Sequence, residues 1–291
     1  MNAIVCVTET RDLLGESCLW CPTTRRVWWL DILKPCLQSF DPVTQQHQVY
    51  PLPGPNCGCA ALRKSGGFVL AMPNGLHGFD PQTGALEFLL HAEQGQPENR
   101  YNDGRCDRRG RFWIGTMHCD IKEPSGSFYR VGADRSVQRL FGGISVPNST
   151  TFSPDDRTFY FADSFKRAIW AYDFDIDAGT ISNRRVFADL ASHRGAPDGS
   201  VVDAEGFLWN AEFGGACLTR YAPDGRVDRM IELPVANPTC VCFGGEKLDT
   251  LYVTTSTHRH TPAQRAAEPM SGGLLSLDVG VRGLPEAAFG G

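Results

Sequence analysis

The chain has 291 residues, with 28 Lys and Arg against 33 Asp and Glu, for a formal net charge of -5 at pH 7. That balance argues against a general nucleic-acid binder, which presents a basic face, and no apolar run approaches the roughly 20 residues a membrane helix needs. The start, from Met1 to Thr8, lacks a basic segment followed by a long apolar one and does not read as a secretory signal.

In chain order, Ile4-Val5-Cys6-Val7 reads as a short strand, expected to pair with the last repeat and lock a ring. Six stretches of one plan follow. They begin at Gly15-Glu16-Ser17, Asn56-Cys57-Gly58, Asn102-Asp103-Gly104, Asn148-Ser149-Thr150, Asp198-Gly199-Ser200 and Pro238-Thr239-Cys240. Successive starts lie about 40 to 50 residues apart, the period of propeller blades. After each start come a polar turn and an aromatic or β-branched strand, as in Arg26-Val27-Trp28-Trp29-Leu30, Arg111-Phe112-Trp113-Ile114 and Phe207-Leu208-Trp209. A third strand carries another aromatic, as in Phe40, Phe79, Tyr129, Tyr172 and Tyr221. No long segment shows helical periodicity. The reading is all-β: a six-bladed β-propeller, one domain spanning residues 1–291. The tryptophans Trp28, Trp113, Trp170 and Trp209 fall at repeated positions that packing explains.

Eleven cysteines are an odd number, which fits reduced, buried thiols in a cytoplasmic protein. Cys18-x-x-Cys21 spans a strand and its turn, without a helix start or second Cys/His pair, so burial is favoured over redox or zinc chemistry. Cys57/Cys59 and Cys240/Cys242 are spaced by two, so each pair is expected on one strand face in the core. Asp103 and Asp155 read as turn residues. His258-x-His260 has no third ligand nearby and lies in an expected solvated loop, and His118 is expected not to touch a ligand.

Radial repetition brings equivalent positions together. Glu16, Asn102, Asn148 and Asp198 then meet at one axis as a ring of oxygens able to hold a hard cation. Glu16 precedes the apolar Cys18-Leu19-Trp20, where a carboxylate has no turn role.

Together these words resemble the SMP-30/gluconolactonase family, which includes regucalcin and bacterial sugar-lactone lactonases. The matching words are Leu14-Gly15-Glu16-Ser17, Arg100-Tyr101-Asn102-Asp103-Gly104 with Gly115-Thr116-Met117, Val146-Pro147-Asn148, Pro197-Asp198-Gly199 and Glu205-Gly206-Phe207-Leu208-Trp209. The resemblance spans nearly the whole chain. It implies a six-bladed propeller with one divalent metal (Ca, Zn, Mn, Mg or Fe) held by Glu16, Asn148 and Asp198. It also implies substrate contacts from Arg100, Asn102 and Asp120. The stretch Met117 to Gly126 is shorter here than in the animal members, where it forms a loop over the pocket mouth.

Two carboxylates and an amide carbonyl leave coordination positions open for water and substrate. Such a cation polarises a lactone carbonyl, and Asp198 is placed to take a proton from water. No Gly-x-Ser-x-Gly nucleophile elbow is present. The expected activity is metal-dependent hydrolysis of a sugar-derived lactone, with a small-molecule partner, no nucleic acid, no membrane, and a monomeric or weakly oligomeric state. The alternatives are a propeller arylesterase or phosphotriesterase-like hydrolase, and a non-enzymatic calcium-binding regulatory protein.

Overall fold

Residues 3–291 are described in the computed structural model; Met1 and Asn2 lie outside the described residues. Six four-stranded antiparallel sheets follow one another along the chain. This is the six-bladed β-propeller that the repeat predicts. The innermost strands are Gly15–Cys21, Cys59–Leu62, Asn99–Cys106, Pro147–Phe152, Ala196–Val202 and Pro238–Gly244. In five blades the four strands are consecutive in sequence. The sixth is completed by the N-terminal strand Val5–Thr8, which pairs with Leu274–Asp278, Val5 opposite Ser276. Closure of the ring therefore uses both ends of the chain, as Ile4 to Val7 leads one to expect.

Six apolar clusters fill the six gaps between neighbouring blades. Between the first and second blades, Trp28, Leu30 and Leu37 meet Leu62, Phe68 and Leu70. Between the third and fourth, Trp113 and Phe128 meet Phe152, Phe159 and Phe161. Between the sixth and first, Trp20 and Trp29 meet Cys240, Cys242 and Tyr252. Each fully buried large side chain contributes about 1.5–3 kcal/mol, so the ring is held by aromatics on the second and third strands. Trp28, Trp113 and Trp209 are buried and Trp170 packs half-buried, as read from sequence.

Three indoles share a second device. Trp29, Trp113 and Trp209 donate Nε1–H to Asp12, Asp107 and Asp203 at 2.8, 2.8 and 2.9 Å. In the third and fifth blades the aspartate lies six residues ahead and also accepts backbone N–H groups of its turn. The C-terminal tail straps the blades together. Ala204 N donates to Arg282 O, Gly283 N to Leu248 O and Phe289 N to Leu62 O, at 2.7–2.8 Å. Phe289 is fully buried between the second and third blades.

The cysteine expectations hold in part. All eleven thiols are free; Cys18 and Cys21 are buried, and Cys240 and Cys242 pack in one cluster. Cys57 and Cys59 instead pack in different clusters. Cys57 precedes the strand that starts at Cys59, so strand alternation does not apply to it. The segment after His260 contains a helix, Pro262–Ala267, capped by Thr261 and Gln264 in a reciprocal capping box. The pattern Thr261-Pro262-Ala263-Gln264 carries that signal.

Candidate active site

Five of the six innermost strands break register at the same point. The ladder shifts between Glu16 and Leu19, Tyr101 and Gly104, Asn148 and Thr151, Pro197 and Ser200, and Pro238 and Val241. Such a bulge inserts an extra residue and re-aims the neighbouring side chains. Glu16, Asn102, Asn148 and Asp198 all sit at bulges. Two of the bulge residues are left-handed serines, Ser17 with φ 55° and Ser149 with φ 57°. That conformation costs a non-glycine residue about 1–2 kcal/mol, and hydroxyl bonding offsets it. Ser17 Oγ accepts from Ala60 N at 3.0 Å, and Ser149 Oγ donates to Asp198 O at 2.7 Å.

The second blade has no bulge and supplies no oxygen. Its Gly58 lies against the third blade, where an added Cβ would come within 2.0 Å of Tyr101 O.

Glu16, Arg100, Asn102, Asn148 and Asp198 line a single cavity of about 510 Å³. A hydrogen-bond chain fixes its wall. Arg100 Nη1 donates to Tyr101 O at 2.9 Å and to Asn102 Oδ1 at 2.7 Å. Asn102 Nδ2 donates to Pro147 O at 2.9 Å and to Asn148 Oδ1 at 3.2 Å. Asn148 Nδ2 donates to Ser164 Oγ at 2.8 Å, and Ser164 Oγ to Pro197 O at 2.7 Å. With its NH₂ group held by Ser164, Asn148 keeps Oδ1 on the side of Asn102, with a second lone pair available.

The electrostatics set this cavity apart. The Glu16 and Asp198 side chains are buried, 8% and 6% exposed, and hydrogen-bonded to each other. Burial, then the nearby Asp103 carboxylate, pushes the Glu16 carboxyl from 4.5 up to about 8. Burial, then Glu16 and Asp103, pushes Asp198 well above the ordinary carboxylate range. Two like charges in one desolvated site cannot both ionise without a cation. No ion pair with Glu16 or Asp198 exists among the described residues. The set is two carboxylates and one amide carbonyl, all hard oxygens, which fits a hard divalent cation. Among the described residues no three His, Cys, Asp or Glu side chains group to hold a metal, so such a cation depends on the Asn148 amide as well as the two carboxylates.

The sequence readings of three residues need correction. Asp103 is not a turn residue: it lies within the bulge, burial raises its carboxyl, and its Oδ2 accepts Thr150 N at 2.7 Å. His258 and His260 are not in a solvated loop. His258 lines the cavity, and His260 is buried with Nε2 2.9 Å from Asn237 Nδ2. The Thr257–His260 turn is drawn inward because Thr257 N and Oγ1 both donate to Asp12 O.

Asp120 reaches the cavity rim, but its side chain is 64% exposed and paired with Lys122 at 2.9 Å. His118 is absent from the cavity wall; its Nδ1 accepts Asp120 N at 3.0 Å. Asp155 is a turn residue, as read, accepting from Ser153 Oγ and Arg157 N. The sequence reading missed Arg259, Phe165 and Phe213, which also line the cavity. No repeat periodicity marks these: Arg259 and Phe165 sit on strand connections and Phe213 at the very end of its strand, Leu208–Phe213.

Comparison with known proteins agrees with this geometry. The chain is 35% identical to a 6-deoxy-6-sulfogluconolactonase of Pseudomonas putida over 291 residues, covering 100% of this chain and 99% of that one. It is 35% identical to an L-arabinolactonase of Azospirillum brasilense, covering 98% and 95%. The crystal structure of a calcium-binding protein, regucalcin, from Agrobacterium tumefaciens superposes with a TM-score of 0.95 at 33% identity, covering 99% of this chain and 97% of that one. The model of the SMP-30/Gluconolactonase/LRE-like region matches residues 14–257, and with the six blades and their buried oxygen set this establishes that the chain belongs to the SMP-30/gluconolactonase family.

Proposed function

We propose that this chain is a lactonase that hydrolyses a sugar-derived lactone to its aldonic acid with the help of one divalent cation. The observation that carries the reading is the buried Glu16/Asp198 pair at the cavity wall, with no ion-pair partner among the described residues and only the field of Arg100 to offset it. The sulfogluconolactonase and arabinolactonase relatives support the reaction class.

Glu16, Asn148 and Asp198 would hold the cation. When bound, it supplies Lewis-acid polarisation of the lactone carbonyl and a lowered pKa for water in its shell. The hard-oxygen set favours Ca, Mg or Mn among the metals that such a site accepts. Asp198 takes the proton of the attacking water. The water oxygen bonds to the carbonyl carbon, the ring C–O bond breaks, and the ring oxygen leaves as a hydroxyl carrying the proton. Arg100 and Asn102, tied to each other, hold sugar oxygens and fix the ring against the reacting centre. Asp120 accepts from a substrate hydroxyl at the rim, its charge held by Lys122.

The test is a panel of aldonolactones followed by acid release, with chelated protein reloaded with Ca, Mn, Mg, Zn or Fe in turn. Failure of every metal to outpace spontaneous hydrolysis of any lactone refutes the reading. The similarity to a calcium-binding regucalcin supports a second reading, a calcium-binding protein without turnover, and the same panel with calcium separates the two.

A further inference from the structure

We propose that the lactone taken by this site carries a negatively charged group at its outward end, recognised by Arg259 with His258 beside it, while Arg100 holds the sugar ring deeper in the cavity. This deepens the lactonase reading and rests on it.

Arg100, His258 and Arg259 line the same cavity. Burial lowers the pKa of His258, and the charges of Arg259 and then Arg100 lower it further, so the three groups lie within electrostatic reach. Neither arginine has an ion-pair partner among the described residues. Arg100 is only 9% exposed, and its hydrogen bonds are made by Nη1 alone, to Tyr101 O and Asn102 Oδ1. That leaves a buried guanidinium with N–H groups still to satisfy. Arg259 is exposed and, unlike Arg157, Arg184, Arg194 and Arg265, which are exposed and unpaired on other surfaces, it stands at the cavity that holds Arg100 and His258. It sits in the left-handed region, with φ 63°, on a turn closed by His260 N donating to Thr257 O at 3.1 Å.

The acids facing the cavity offset Arg100 but leave Arg259 unopposed. Glu16 and Asp198 act on Arg100, deeper in the cavity, and not on Arg259. Asp120 is held by Lys122 at 2.9 Å. Burial raises the Cys119 thiol, which therefore stays neutral near pH 7. At the mouth Arg259 is therefore left without an opposing carboxylate. A neutral sugar leaves the Arg259 guanidinium without an anion. A carboxylate, sulfonate or phosphate offers several acceptor oxygens to a planar fork of donors, with charge assistance.

The experiment compares one aldonolactone with its analogues carrying a terminal sulfonate, carboxylate or phosphate, on metal-loaded protein. At least one anionic lactone is expected to exceed the neutral parent in kcat/KM by about tenfold at low salt, the advantage shrinking as ionic strength rises. Arg259→Gln should bring that ratio toward one, and Arg259→Lys should retain part of it. Calorimetric binding of the matching anionic aldonate to chelated protein should weaken by a similar factor in Arg259→Gln. Neutral lactones turned over as well as or better than every anionic one would overturn the proposal and leave the lactonase reading standing. An anionic preference untouched by Arg259→Gln would also overturn it. No turnover of any lactone would sink both.

Discussion

Replacing Glu16 with glutamine should make the chelated protein more stable, not less. The buried Glu16 carboxyl titrates near 8 instead of 4.5. A group whose pKa is raised on folding contributes stability that is present below its unfolded pKa and lost as pH rises through the folded one. For Glu16 the window runs from about pH 4.5 to about pH 8. A rise of about 3.5 units corresponds to about 5 kcal/mol at its upper limit. Because Glu16 and Asp198 hydrogen-bond to each other, part of the strain stays with Asp198 after substitution, and a gain of about 2 kcal/mol at pH 8 is the conservative expectation. For a chain of this size each kcal/mol moves Tm by about 2 °C. Glu16→Gln should therefore melt about 4 °C or more above wild type at pH 8 in chelator, and close to wild type at pH 5. Adding a divalent cation at a hundredfold excess over Kd should stabilise wild type by about 2.7 kcal/mol and the variant far less. Differential scanning calorimetry at the two pH values, with chelator and with cation, reads all four states. A variant that melts at or below wild type at pH 8 in chelator would show that no buried carboxylate penalty exists at Glu16. An undiminished cation shift would remove Glu16 from the ligand set.

Asp198→Asn keeps the shape but loses the base, so kcat/KM toward the preferred lactone should fall by about 10²–10⁴; a fall of less than tenfold would mean that another group takes the proton. Asp203→Ala strips Arg220 of its fully buried carboxylate partner at 2.7 Å and Trp209 of its indole acceptor at 2.9 Å, leaving Arg220 only the more exposed Glu205 and Asp228 at a cost of about 3–5 kcal/mol for the broken buried pair and the orphaned indole. A melting point lowered by about 6–10 °C is expected, and an unchanged one would show that Glu205 and Asp228 suffice to hold Arg220. Phe289→Ala opens a cavity between the second and third blades and should cost about 3–5 kcal/mol, read by denaturant unfolding; a loss below about 1 kcal/mol would show that the tail is not a strap.

The propeller was legible because its signal is repeated. Six starts, six aromatic strands and one spare N-terminal strand state the same arrangement many times, so no single ambiguous segment could mislead. Glu16, Asn148 and Asp198 were legible for the same reason: they fall within one residue of the same repeat position, Glu16 and Asn148 just before the bulge and Asp198 at its first residue, and radial closure maps that position onto one axis. What the repeat does not cover was hidden. Arg259 and His258 reach the cavity on a connection whose inward pull depends on Thr257 bonding to Asp12 O, residues 245 apart. Asp103 was hidden by its neighbours, since Asn-Asp-Gly is the commonest dress of a turn and only the register shift between Tyr101 and Gly104 reveals that it lies within a strand.

The bulges link these successes and failures. A strand of unbroken period would alternate its side chains strictly between the two faces of a blade, and both faces are already filled by the interblade clusters. Axial side chains require the alternation to fail locally. The chain achieves this at five innermost strands, at Ser17 and Ser149 with non-glycine residues in the left-handed region. Those serines are not interchangeable with glycine, because Ser149 Oγ ties the fourth blade to the Asp198 carbonyl of the fifth, and Ser17 Oγ ties the first blade to Ala60 of the second. The hydroxyl that compensates the backbone strain is therefore also the bond that sets the spacing between blades. Ligand geometry and ring closure are fixed by the same atoms, and the candidate site sits on a rigid sheet edge although its residues come from separate quarters of the chain.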